Sequence, residues 1–203
     1  MGATALILFG GPVAVGTAAG YLSGGRLSRL PAVRLRRLWL LWLAAAVQVA
    51  QLATAGLPGA AGRHLGAPLL ALAFGLALLW LGVNARGRSW PLKTGVGLAL
   101  TGAVLNALPI AVNGRMPYSP SSAADAGLRA GSQTVKNVPA GHGTRLLVLG
   151  DTIPLPPLHA VVSIGDVLLA TAAAVLVAAA MHHPATPARE GNPPCPTASA
   201  GTA

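Results

Sequence analysis

The sequence predicts an all-α membrane protein: a five-transmembrane helix bundle, N-terminus outside and C-terminus inside, with an ordered extracytoplasmic loop between spans four and five. Three observations predict it. The chain is 53% hydrophobic but only 9% charged, whereas a soluble domain carries about 25% charged residues. Acids are scarcest: Asp125, Asp151, Asp166 and Glu190 are the full set, so the net charge of +10 reflects missing acids more than abundant bases. Finally, the bases sit in short clusters between apolar runs, which is the membrane pattern and not a charged nucleic-acid-binding face.

A spanning helix needs roughly 20 apolar residues. Residues 3–22, 38–57, 66–83, 94–112 and 164–181 qualify, and none carries Lys or Arg near its centre. The first is no cleavable signal peptide, because such peptides open with bases and residues 1–25 hold none. Orientation follows from the flanks. Arg26, Arg29, Arg34, Arg36 and Arg37 separate spans one and two; Arg86, Arg88 and Lys93 separate spans three and four; only Arg63 lies between two and three. Lys and Arg near span ends stay cytoplasmic, and Trp and Tyr prefer the headgroup level. Trp39, Trp42, Trp80, Trp90 and Tyr21 all fall at the ends so placed inside.

Residues 1–181 thus form the bundle, including a loop at 114–160, and 182–203, rich in Pro, Ala, Thr and Gly, form a disordered cytoplasmic tail. A loop of that length is functional or disordered, and TRLLVLGDTIPLPPLHA is too apolar for disorder. Leu146–Leu149 is expected to lie against the bundle or in the membrane interface, and Pro154, Pro156 and Pro157 keep the segment from becoming a helix.

Lipid tails are as apolar as Leu, so close backbone approach and polar contacts join helices in a bilayer. Span one offers Gly16, Gly20 and Gly24 on one face. Span two offers Gln48, Gln51 and Thr54, and span four offers Gly102, Asn106, Pro109 and Asn113. Facing each other, these two polar stripes would form a hydrogen-bond ladder, or line a substrate path. Pro109 leaves the carbonyl of Leu105 without its helical donor, and the Asn106 amide is a candidate replacement.

Asp166 admits two readings. An ionisable group inside a membrane is a functional-site hypothesis by default. Yet Ser163, three residues earlier, makes S-x-x-D before an apolar run, which matches a capping box. Its expected partners are Arg115 and Arg145. Asp151, in LGDTIPLP, suits a turn or a working carboxylate. His142, in AGHGT, is flanked by glycines and expected to be exposed. His182 and His183 end span five with no acid or cysteine spaced to join them at a metal, and Cys195 stands alone. No phosphate loop, H-E-x-x-H or G-x-S-x-G occurs, so no cofactor and no metal are expected.

The stretches NGRMPYSP (113–120), TRLLVLGDTIPLP (144–156) and VVSIGDVLLA (161–170) resemble an uncharacterised family of small bacterial multi-pass membrane proteins, a domain of unknown function. Its pattern is an N-G-x-M-P element, a basic-His element, G-D-x-I-P-x-P and a final S-I-G-D before the last span. Asn113, Arg115, Met116, Pro117, Gly150, Asp151, Pro154, Ser163, Gly165 and Asp166 fit in register, while the basic-His element is split here between Lys136 and His142. The resemblance covers the second half of the chain. It implies no known activity, but it implies that the loop is ordered and is the working surface.

Two functions are therefore expected. One is an accessory membrane protein of the bacterial plasma membrane that binds a partner protein or lipid, and no nucleic acid, through its outer loop. The other is an outer-leaflet enzyme or small transporter, with Asp151 and Asp166 as acid–base or cation-binding carboxylates and Arg115 and Arg145 holding an anion. Asn106, Asn113, Met116 and His142 complete the candidate set.

Overall fold

The computed structural model describes residues 2–32, 35–53, 60–134 and 136–182. Arg34 and Thr54 lie outside them, as do residues 183–203 of the expected tail, with His183, Glu190 and Cys195.

Each of the five apolar segments holds one long helix: α1 (Gly2–Leu22), α2 (Trp39–Ala53), α3 (Ala60–Ala85), α4 (Trp90–Asn113) and, after a folded insertion, α6 (Ile164–Ala180). The short α5 (Pro120–Asp125) lies in the insertion. Because α3 begins at Ala60, Arg63 is helical backbone and not a loop residue. Local chemistry sets the ends of α4. Pro91 sits in its first turn, where the missing N–H has no intrahelical role, and Gly114 closes it at φ 74, a conformation glycine adopts without a Cβ clash. Two helices, α3 over Pro68–Ala85 and α4, are long and apolar enough to cross a membrane; Leu6–Leu22, Trp39–Gln51 and Ile164–Ala180 are shorter apolar stretches.

The helix α6 lies between α1 and α4, and α3 joins α4 to α2. Glycines permit these close contacts. A Cβ on Gly16 would stand 2.5 Å from the Ala174 carbonyl oxygen, and Gly20 meets the Met181 side chain. Gly24, the third member of that stripe, lies beyond α1 in a turn with φ 86. The polar stripe of α4 faces α6 and not, as expected, α2. A Cβ on Gly102 would come within 2.7 Å of the Gly165 carbonyl oxygen, an approach that needs glycine on both helices, and α2 has none. Instead α2 packs on α3, and Gln48 donates to Gln51 Oε1 along its own helix at 3.0 Å.

Residues 114–160, expected as a loop within an all-α chain, form a small folded cap with strands. Strand β1 (Met116–Tyr118) runs parallel to β2 (Asn137–Pro139), and β3 (Ile153–Leu155) pairs antiparallel with β4 (Ala160–Val162). The sequence hides them because each is three residues long, too short for an alternating pattern to show. Pro117, Pro139 and Pro154 lie in them, where proline is tolerated at sheet edges but would break a helix. Ser122 Oγ ties α5 to the β3–β4 hairpin by donating to the Thr152 carbonyl at 2.7 Å.

Asn113 clamps the cap to the end of α4. Its amide donates to the Arg145 carbonyl at 2.8 Å, and its oxygen accepts from the Arg145 N–H at 3.0 Å. The next residues make a single helical turn, Leu147–Leu149, against α4. Leu146 and Val148 stay exposed on it, Val148 at 68%.

Candidate functional site

The two Gly-Asp pairs of the sequence share one geometry. In each, the glycine lets a neighbouring element approach, and the following carboxylate accepts from an asparagine amide on that element or beside it.

At the start of α6, Gly165 lies directly against the Asn106 side chain of α4. Asn106 Nδ2 donates to Asp166 Oδ1 at 2.7 Å. The Ser163 hydroxyl donates to Asn106 Oδ1 at 2.7 Å. The ring closes through the helix start: the Asp166 N–H donates to Ser163 Oγ at 3.0 Å, and the Ser163 N–H donates to Asp166 Oδ2 at 3.0 Å. That reciprocal pair is a capping box. Ser163 and Asn106 are buried. Asp166 is thus both helix cap and interhelical partner, its two oxygens taken by two donors. The Asn106 amide is not aimed at the Leu105 carbonyl, because Asp166 accepts from it across the helix contact.

Asp151 is buried, and its place is a strand bridge and not a turn. It pairs with Tyr118 in parallel: its N–H donates to the Pro117 carbonyl at 2.9 Å, and its carbonyl accepts from the Ser119 N–H at 2.9 Å. Gly150 makes the approach possible, since a Cβ there would strike the Pro117 carbonyl. Asn137 Nδ2 donates to Asp151 Oδ2 at 2.6 Å. Burial and then the nearby Asp166 carboxylate push the Asp151 pKa up to about 7, against the opposing hydrogen bond from Asn137. A carboxylate so placed takes up and releases a proton near neutral pH.

The remaining candidates disperse. Arg115 Nη1 donates to the Thr134 carbonyl at 3.4 Å, and Arg145 is held through its backbone by Asn113. Asp166 accepts from Asn106 and Ser163 where an arginine was expected. Met116 is buried in β1, with its N–H donated to the Lys136 carbonyl at 2.9 Å. His142 is exposed in a turn. No group of three or more metal-ligating side chains occurs among the described residues. Sequence reasoning missed Asn137 and Ser122. Each lies in a polar stretch with no periodic or motif signal, and only the fold brings them to Asp151 and Thr152.

A methyl at Gly165 would stand 2.6 Å from Asn106 Cγ and 2.7 Å from the Gly102 carbonyl. Gly165→Ala is therefore expected to destabilise the chain by about 1–3 kcal/mol, the usual cost of overpacking. Gly75→Ala, with nothing within 4 Å, should be close to neutral. Thermal unfolding of the purified variants in detergent measures both, and equal stabilities would sink the close-contact account.

Fold and site together define a helical bundle in which one asparagine–carboxylate pair joins α4 to α6 and a second lies inside the folded cap. The chain belongs to DUF5317, a family of unknown function, which matches residues 32–178. That match takes in the three motif stretches and also reaches back over α2 and α3, further than the resemblance legible in the second half. No curated protein and no solved structure matches the chain.

Proposed function

We propose that the chain is a five-span integral protein of the bacterial plasma membrane, N-terminus outside, and an accessory subunit that engages another membrane component through its outer cap. The exposed apolar helices support membrane residence. In Pro68–Ala85 only 6% of the residues are buried inside the chain, and Phe9 and Leu22 are 80% and 91% exposed. In water such faces would be costly at about 25 cal/mol per Å²; in lipid they are solvated.

One observation carries the accessory role. Asp166 is engaged in holding α6 to α4, Asp151 is tied to Asn137, Arg115 donates to the Thr134 carbonyl, and Arg145 is held through its backbone by Asn113. The polar groups at this end fasten the cap, so function falls to the cap's surface, where Val148 and Leu146 are exposed beside α4.

Topology is tested in a Cys195→Ala background. Ser121→Cys, exposed on α5, should react with a membrane-impermeant maleimide on intact cells, and Ser89→Cys only after permeabilisation. The reverse pattern overturns the orientation. Val148→Asp should abolish co-purification of the bound membrane component without lowering thermal stability; unchanged co-purification overturns the cap as the contact.

A second reading rests on the Asp151 carboxylate, which titrates near neutral pH beside Asp166. In it the pair works as a proton-linked site of an outer-leaflet enzyme or small transporter. Proton flux into proteoliposomes that vanishes in Asp151→Asn would favour its transporter form, and absence of flux in the parent chain would exclude that form.

A further inference from the structure

At the end of the helices remote from the cap, a groove of about 1030 Å³ opens where the end of α3, the start of α4 and the end of α6 meet. Arg36, Arg86, Arg88 and His182 line it. Asn84 sets the position of Arg36 by gripping its backbone on both sides: Asn84 Oδ1 accepts from the Arg36 N–H at 2.7 Å, and Asn84 Nδ2 donates to the Arg36 carbonyl at 3.0 Å. The described acids, Asp125, Asp151 and Asp166, all lie in the cap or at the cap end of α6. No carboxylate among the described residues therefore balances the groove.

Two further features favour an anion there, and an apolar side suits acyl chains. The N-terminus of α4 borders the groove at Ser89, whose side chain makes no capping bond, and its first turn has no acidic residue. That leaves the positive end of the helix dipole toward the groove. The His182 ring nitrogens face two carbonyl oxygens, Ala178 at 2.8 Å and Ser23 at 3.0 Å. Only the doubly protonated ring donates to both, and these carbonyls, Ser23 first, raise its pKa. The groove also has an apolar side, with Val83, Leu92 and Val175. Trp90, next to Ser89, is 80% exposed, and Trp39 and Trp42 are exposed at the start of α2.

We propose that this groove binds the phosphate headgroup of an anionic phospholipid, with the arginines on the phosphate and the acyl chains along the apolar wall. Arginine forks match phosphate oxygens, and basic pockets between membrane helices on the cytoplasmic side suit anionic headgroups. The apolar wall selects a lipid over free phosphate, which would not need it. The assignment rests on the membrane reading above.

The test uses the full-length chain purified in neutral detergent. It is titrated with short-chain phosphatidylglycerol, with phosphatidylcholine of equal chain length and with inorganic phosphate, and followed by native mass spectrometry and thermal unfolding. Phosphatidylglycerol should bind and raise Tm, and the other two should not. Each arginine neutralised, as in Arg86→Gln, should weaken binding about fivefold. The triple change Arg36→Gln, Arg86→Gln, Arg88→Gln should abolish it, the corresponding triple lysine variant should retain much of it, and Arg115→Gln in the cap should leave it unchanged. Equal binding of both lipids, retained binding in the triple glutamine variant or loss in Arg115→Gln overturns the site. A full response to inorganic phosphate overturns the lipid assignment. Alkaline carbonate extraction of cell membranes tests the membrane reading separately: a chain that stays in the membrane but shows no lipid preference refutes this inference alone.

Discussion

Asp151→Asn is expected to make the folded chain more stable at about pH 8, by up to about 4 kcal/mol. The carboxyl pKa stands at about 7 in the fold against an ordinary value of 3.8, and each unit is worth about 1.36 kcal/mol. The folded pKa is raised, so the folded state holds this proton more tightly than the unfolded chain. The associated stability is fully present below the unfolded value, declines as pH rises between the two values, and is gone once pH passes through about 7. The parent chain should therefore lose stability between about pH 4 and about pH 7, and the asparagine variant should lose much less. The amide introduced by Asp151→Asn keeps an acceptor oxygen for Asn137, so the bridge to β2 survives while the desolvated charge and its repulsion with Asp166 disappear. Unfolding in detergent at several pH values measures this. Parallel pH profiles for the two proteins would mean that Asp151 is ionised at no cost and that burial does not govern it.

Asn106→Ala is expected to cost about 3 kcal/mol. It removes the donor to Asp166 Oδ1 and the acceptor of the Ser163 hydroxyl together. Ser163 is fully buried, and an unsatisfied buried polar group costs about 1–3 kcal/mol, more where the group is charged. The loss should be coupled to the helix cap. In a cycle with Ser163→Ala, the two changes together should cost less than the sum of the single changes, with an interaction energy of about 0.5–3 kcal/mol. Strict additivity would show that the α4–α6 ring is a set of separate contacts and not one network. Asn113→Ala, whose bonds lie at an exposed position, should cost only about 1 kcal/mol. That contrast separates a buried fastening from a surface one.

Much of the architecture was legible before any coordinates. Apolar length alone located the five long helices, because a long apolar run without polar side chains to satisfy its backbone bonds them within itself as a helix. Gly16 and Gly20 were visible as a packing face from their spacing, and Ser163–Asp166 as a capping box from its motif, since both are local patterns. The partner of each group was not legible. The spacing of Gly102, Asn106 and Pro109 defines a face but not the helix it meets, and the choice of α6 over α2 follows from glycine meeting glycine at Gly102 and Gly165. The cap strands escaped for a related reason: three-residue strands are stabilised by pairing with distant segments and leave no period of their own.

Residue order alone was enough for the helical composition, the clustering of bases between the apolar runs, and the start of α6, because each depends on side chains within a few turns of one another. It took the packed chain to establish that Asp166 answers to Asn106, that Asp151 lies buried beside Asn137 and near Asp166, and that Arg36, Arg86, Arg88 and His182 share one groove. Those outcomes depend on desolvation and on contacts between segments far apart in the chain, and neither quantity exists until the helices have packed.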